Sequence, residues 1–405
     1  MVPLVKPALR RGWRDLNTVQ FGMTPAHAMT LGPMDTATGS FLDLLDGTRG
    51  MPLLREEGRR MDLPDGHVDA LVDRLSRAGL LDDAKGGGPA ADVLRASKPV
   101  LDRLRPDLAS MSLVTSAPGD AIGRVAARGS LRVQVRGAGR VGALIACLLA
   151  GAGIGEVDVR DTGRVEPWDV APGGLPADSI GDRRDEAARQ AVRRCAPGRP
   201  RRGRPSPTGS GEPGFSLVIL APRDDVAVHA PDPATADPLV SSGTPHLYAG
   251  VVEGTGVVGP LVLPGETACA GCLDQRRADR DPVWPRLVAQ WRSGPGRSRQ
   301  VRPCDLTLAS SVAGLAAAHA LAFLTGRVPS SADVRWEVSL TDLSWHGRRI
   351  RAHPACRCGA AQKGKGEHIS KDEESHETMA GQRSSEESRR EADAARPAGT
   401  WRAHV

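Results

Sequence analysis

Apolar positions along the chain follow two periods, and the switches between them mark out its elements. Residues 131–135 alternate and are rich in valine, as a buried strand is. Residues 141–149 are almost wholly apolar and read as a helix closed by Gly151 and Gly153. The next strand is 157–159, with Asp161 at its C-terminal end. Further on, 183–195 is a helix rich in Arg, Ala and Glu. FSLVILA at 215–221 is a buried strand, 226–242 a weaker helical stretch, and 246–252 and 256–263 two more strands. Residues 305–325 are small and apolar at helical period, a central packing helix capped by Gly326. Residues 334–338 and 343–346 read as a closing antiparallel pair. Strands alternating with helices in this way predict an α/β, Rossmann-like domain.

The first part of the chain has a different texture. Short extended pieces at 18–21 and 28–31 lie between glycines and prolines, followed by helical stretches at 39–45, 51–57 and 65–78. The last is the clearest, with Val68, Leu71, Val72 and Leu75 at helical spacing and Gly79 at its end. Residues 79–81 return as an extended piece. This predicts a small winged-helix-like α+β module over 1–83, set off by the glycines and proline of 86–89. Within 84–129, a linker with covering helices, residues 93–105 read as a helix broken by Pro99 and Pro106. Residues 108–116 read as a strand and 120–127 as a helix.

Composition adds limits. The 405 residues suffice for two or three domains, and with aromatics at 3% the core must rest on Leu, Val and Ala. The net charge of +6 is mild and the arginines are spread out. Asp69 and Asp73 interrupt the basic residues of the 65–78 helix, which argues against nucleic acid. The absence of a run of eighteen apolar residues predicts no membrane span, and the N-terminus shows no signal-peptide pattern, so a cytoplasmic setting is expected. Residues 362–405 are polar, mixed in charge and expected to be disordered. The arginine-dense, low-complexity run at 193–214 reads as a solvated loop, with a phosphate-binding patch as the alternative.

Three features carry candidate chemistry. Gly137, Gly139 and Gly142 have the G-x-G-x-x-G spacing between a strand and a helix, with Asp161 at the distance of a ribose-binding acid. Glycines let backbone approach phosphates, and a helix N-terminus offers free N–H groups. A tight turn that binds nothing is the alternative. Cys269 and Cys272 form C-x-x-C, and Cys356 and Cys358 form C-x-C. Two such pairs suit one closed, structural zinc site, with His353 as a possible substitute ligand and redox or free thiols as the alternatives. Asp224 and Asp225 follow the 215–221 strand, at the edge where open α/β sheets bind ligands. Cys304, ahead of the long helix, is either a nucleophile or an incidental thiol. His319 reads as a core histidine.

In this order the features resemble the ThiF-type adenylyltransferases, relatives of the ubiquitin-activating enzymes, over about 130–361. The resemblance implies ATP over the glycine turn, magnesium near Asp224 or Asp225, a nucleotide contact at Arg184, and adenylation of a partner's C-terminal carboxylate. The sequence departs from the family at Gly163, Asp169 and Pro172, where an acid, an asparagine and a phosphate-binding arginine are expected. Arg164 or Arg183 is a possible replacement. LLDGTRG and LVDRLSRAGLL resemble the PqqD-like modules that hold leader peptides by adding a strand to a small sheet. DNA binding and simple packing are the alternatives for that module. The fusion of the two is similar to proteins that present a precursor peptide to a YcaO-type cyclodehydratase, and family habit implies a homodimer. An NAD-dependent dehydrogenase would fit the glycines and Asp161 but leaves the cysteine pairs and the small-residue helix without a role.

Overall fold

In the computed structural model, residues 1–198, 214–293 and 301–363 are described. All but the first two residues of the expected tail at 362–405, and most of the arginine-rich run, therefore lie outside the described residues.

The N-terminal module contains β1 (Pro3–Val5), β2 (Arg11–Trp13), β3 (Val19–Phe21), β4 (Met29–Leu31), α1 (Thr36–Phe41), α2 (Met51–Arg60), α3 (His67–Arg77) and β5 (Leu81–Asp83). β2, β3 and β4 form an antiparallel sheet with β3 central, while β1 pairs with β5. Asp35 starts α1 by accepting the Thr38 N–H at 2.7 Å. Val68, Leu71, Val72 and Leu75 turn the apolar stripe of α3 inward. They meet Val19, Phe21, Phe41 and Leu54 in one core. Full burial of a side chain such as Phe21 contributes roughly 2–3 kcal/mol.

Three helices follow: α4 (Gly88–Ala96), α5 (Lys98–Leu113) and α6 (Asp120–Ala127). They share a small core of Ala91, Leu94, Leu104, Met111, Ile122 and Val125. The strand expected at 108–116 is instead largely the end of α5. Pro99 sits in the first turn, where its missing N–H costs nothing, and Pro106 lies inside the helix without ending it. A short apolar run cannot by itself distinguish strand from helix, and burial of Leu104 and Met111 on one face decides for helix.

The remaining elements are β6 (Arg132–Arg136), α7 (Arg140–Gly151), β7 (Glu156–Arg160), α8 (Arg184–Cys195), β8 (Leu217–Leu220), α9 (Asp225–His229), α10 (Pro233–Ser241), β9 (His246–Val252), β10 (Thr255–Val262), α11 (Ala270–Arg280), α12 (Trp284–Ser293), α13 (Leu306–Leu324), β11 (Val334–Ser339), β12 (Trp345–Arg349) and α14 (Ala360–Lys363). Seven strands form one sheet in the order β12-β11-β10-β9-β8-β6-β7. β7, β6, β8 and β9 run parallel, and the β9–β10–β11–β12 pairs are antiparallel. β8 is buried along its whole length, as an inner strand of a covered parallel sheet is. α11 and α12 are helices that the reading of the sequence did not include.

α13 is long and apolar enough to cross a membrane by length and composition alone, despite its serines and histidine. Here it is a packing helix. Leu308, Ala309, Val312, Ala313, Ala316 and Ala320 are buried in the core that α7, β9 and β10 share. His319 bonds to the Ser331 hydroxyl at 2.8 Å, and burial pushes its pKa down, which fits a neutral core histidine.

Candidate functional site

The strand β6 delivers the chain to a turn in which each glycine has a separate reason. Gly137 has φ +107°, and a Cβ there would collide with the Ala221 carbonyl at the end of β8. A Cβ on Gly142 would collide with the Gly137 carbonyl, so this glycine brings α7 onto the turn. Gly139 is the N-cap of α7 and offers no side-chain cap, which leaves the first N–H groups of the helix available. Before these groups lies a cavity of about 430 Å³, lined by Gly139 and Gly142 and by Arg140, Trp168, Arg223, Arg302 and Cys304 among others.

Beneath and beside the cavity runs a chain of alternating charges. Asp161 accepts the Ala138 N–H and a guanidinium N–H of Arg184, each at 2.6 Å. The Arg184 Nε donates to Asp169 at 3.1 Å. The other oxygen of Asp169 lies 2.8 Å from Arg223, which also pairs with Glu166. The Arg184 and Asp169 side chains are 6% and 3% exposed. Buried charges persist only when paired and bonded, and this chain pairs all three of Asp161, Arg184 and Asp169. The hydrogen bond from Arg223 holds the Glu166 carboxyl below the usual range.

The three glycines thus meet at one turn with Asp161 behind it. Arg184 does not line the cavity; it is spent on Asp161 and Asp169 and on the Thr162 carbonyl at 3.0 Å. Asp224 caps α9, accepting the N–H groups of Val226 and Ala227 at 2.9 and 3.2 Å, and its second oxygen lies 3.8 Å from Arg302. Asp225 is 3.7 Å from Arg302. Arg140 donates to the Cys304 carbonyl at 2.8 Å, holding the start of α13 over the cavity. Burial pushes the Cys304 thiol up, the opposite of an activated nucleophile. Sequence reading passed over Arg140, Glu166, Trp168, Arg223 and Arg302. Arg223 immediately precedes the Asp224 that it did single out.

A second cluster packs against Val218, Leu220, Tyr248 and Val262, on the face of the sheet opposite to α7 and α13. α11 begins at Cys269, with Cys272 one turn on, and the segment after β12 brings back Cys356 and Cys358. All four sulfurs lie within 4.8 Å of one another. Cys269 is 3.9 Å from Cys272 and 3.5 Å from Cys356, and Cys272 is 3.4 Å from Cys358. Sulfurs about 2.3 Å from a tetrahedral zinc stand about 3.8 Å apart, so the set fits that ion. A Cβ on Gly271 would lie 3.1 Å from the Cys356 sulfur, so a glycine keeps the knuckle open. His353 is not one of the four: it pairs with Asp279 at 2.9 Å and receives the Ala355 N–H.

Comparison with known proteins agrees with this architecture. The ThiF family profile matches residues 123–360, which starts within α6. No curated protein sequence matches significantly. Among solved structures, Escherichia coli MccB with selenomethionine MccA superposes with a TM-score of 0.62 at 14% identity, covering 89% of this chain and 99% of that one. E. coli MccB with ATP gives 0.61 at 15%, over 89% and 99%. PaaA gives 0.59 at 17%, over 85% and 99%. At these identities the likeness is one of fold.

Proposed function

The chain belongs to the ThiF family, and from that premise we propose that it binds a ribosomally made precursor peptide through its N-terminal module and supports ATP-dependent modification of that peptide. The observation that carries this reading is a small sheet with an open edge, joined in one chain to a ThiF domain. β2 is an edge strand whose three residues are all exposed. The Arg14 N–H bonds to the Thr18 carbonyl and the Gly22 N–H to the Arg10 carbonyl. Antiparallel alternation then turns the backbone of Arg11 and Trp13 outward, ready to pair with an added strand. MccB, solved with its peptide MccA and with ATP, supports the reading by likeness of fold over nearly its whole length.

In this reading residues 1–83 are the peptide module and the four cysteines hold zinc as a structural clip. The N–H groups at the start of α7 would receive phosphates, while Arg140, Arg223 and Arg302 offset their charge. Asp224 is the acid that would meet magnesium carried by ATP. A YcaO-type cyclodehydratase is the proposed partner and a homodimer the proposed assembly. The test is binding of the peptide encoded beside this gene to the full chain. Arg11→Pro, which removes an outward N–H at a position an edge strand tolerates, should weaken binding at least about tenfold, as the loss of a well-made hydrogen bond does. Unchanged binding would remove the strand-addition model.

A second reading, in which the chain itself adenylates a C-terminal carboxylate, is favoured by the cavity against the α7 N-terminus. Peptide-dependent exchange of pyrophosphate into ATP would establish it. Tight peptide binding without exchange would leave the supporting role alone.

A further inference from the structure

Of the three glycines at the turn, two face backbone and one faces a side chain. A Cβ on Gly139 would lie 2.7 Å from Cγ of Arg223, 3.4 Å from its Cδ and 3.6 Å from its Nε. The second glycine of such a turn is the one across which backbone and a pyrophosphate approach each other. In this protein the stem of Arg223 lies on that approach, with its guanidinium turned aside onto Glu166 and Asp169.

The two acids do not depend on Arg223 equally. Asp169 is buried and keeps Arg184 as a partner whatever Arg223 does. Glu166 is 40% exposed and also accepts the Trp168 indole N–H at 3.1 Å, so water and Trp168 can satisfy it after release. Arg184, by contrast, is locked between Asp161 and Asp169. Arg223 is therefore the releasable member of the charge chain. Its planar fork of donors matches phosphate oxygens better than a point charge would.

We propose that Arg223 is the residue that grips the phosphate chain in this pocket, drawn off Glu166 and Asp169 by the ligand, and that Glu166 sets the affinity by competing for it. This rests on the reading that the pocket takes ATP. The competition has a sign. Removing Arg223 leaves the Glu166 and Asp169 carboxylates facing the phosphates, so binding must weaken. Neutralising Glu166 leaves Arg223 held by Asp169 alone and removes one competing charge, so binding must tighten.

The experiment is calorimetric titration of the full chain with ATP, inorganic tripolyphosphate and adenosine. Arg223→Ala should weaken ATP and tripolyphosphate by about tenfold or more, the scale of a lost charge-assisted bidentate contact, and leave adenosine unchanged. Glu166→Gln, which keeps an acceptor for Trp168, should tighten both by about threefold to tenfold as the competing charge is removed. Arg223→Lys should fall between Arg223→Ala and wild type. A merely structural role for Arg223 would shift all three ligands together and give Glu166→Gln no gain. If ATP binds wild type but neither variant shifts it in the stated direction, the assignment of Arg223 fails and the nucleotide reading stands. If neither wild type nor Glu166→Gln binds ATP or tripolyphosphate, both fall. Should Arg223→Ala not fold, the gain in Glu166→Gln alone decides.

Discussion

The cysteine cluster and the glycine-turn pocket both gather residues from distant parts of the chain. They differ in what remains unsatisfied after the gathering. At the cysteines, four sulfurs converge within 4.8 Å of one another, and among the described residues no cationic side chain is bonded to them. Such a set has the donor types and spacing of a tetrahedral zinc site. At the turn, acids and arginines already answer one another from Asp161 to Glu166. A ligand that recruits one of these arginines must displace an internal bond. The first site is defined by ligand types alone, the second by the partners its residues have already taken.

The largest expected effect tests the closed site. Cys272→Ser, at a fully buried position, should reduce bound zinc below about half an equivalent and cost roughly 5 kcal/mol, the scale at which loss of a metal site stands out. Metal analysis and thermal unfolding together check it; a wild-type protein purified without chelator and lacking zinc would overturn the clip.

Arg184→Ala comes next. It leaves Asp161 without its cation and Asp169 with Arg223 alone, and breaking a buried pair from one side costs roughly 3–5 kcal/mol. Urea unfolding reads the loss. A change of less than about 1 kcal/mol, near the level of an exposed pair, would show that the chain of charges does not hold the turn together.

Two alanines then separate fold from ligand at the turn. Gly142→Ala places a methyl against backbone and should cost about 2 kcal/mol by overpacking. Gly139→Ala meets only the Arg223 side chain at a position with φ −73°, and should cost less than about 1 kcal/mol while weakening ATP. Equal destabilisation by both would erase the distinction between the glycines.

A separate effect, comparable with that of Gly142→Ala, depends on pH. Burial depresses the pKa of His229 to about 4. The unfolded chain, with its histidine near the ordinary 6.5, binds more protons between pH 6.5 and 4. Stability from this group is therefore full above pH 6.5 and is lost as pH falls toward 4. Allowing for partial exposure, the loss is roughly 1–2 kcal/mol. His229→Gln should flatten that slope in unfolding measured against pH, and an unchanged slope would assign it elsewhere.

Much of the fold was legible because its signals are local. The glycine turn, the strands at 217–220 and 246–252 and the helix before Gly326 each follow from a period or a residue with special backbone freedom. The expected strand at 108–116 misled because a short apolar run has no period of its own, and packing made it helix. α11 carries little apolar surface beyond Leu273, its later turns holding arginines such as Arg277, which donates to the His229 carbonyl; α12 does carry a stripe, Trp284, Leu287, Val288 and Trp291 at helical spacing, which the reading of the sequence passed over.

Sequence by itself brought out the two cysteine pairs, which the fold gathers within 4.8 Å of one another, and the place of the turn, since only glycine fits there. It could not determine which charged residues remain free for a ligand. Asp161 and Arg184 were chosen by position, yet tertiary structure pairs them with each other, while Arg223 arrives over Gly139 from the end of β8. Charge is satisfied through space. Residues 62 apart along the chain, Asp161 and Arg223, belong to one hydrogen-bonded series only because β6, β7 and β8 lie side by side.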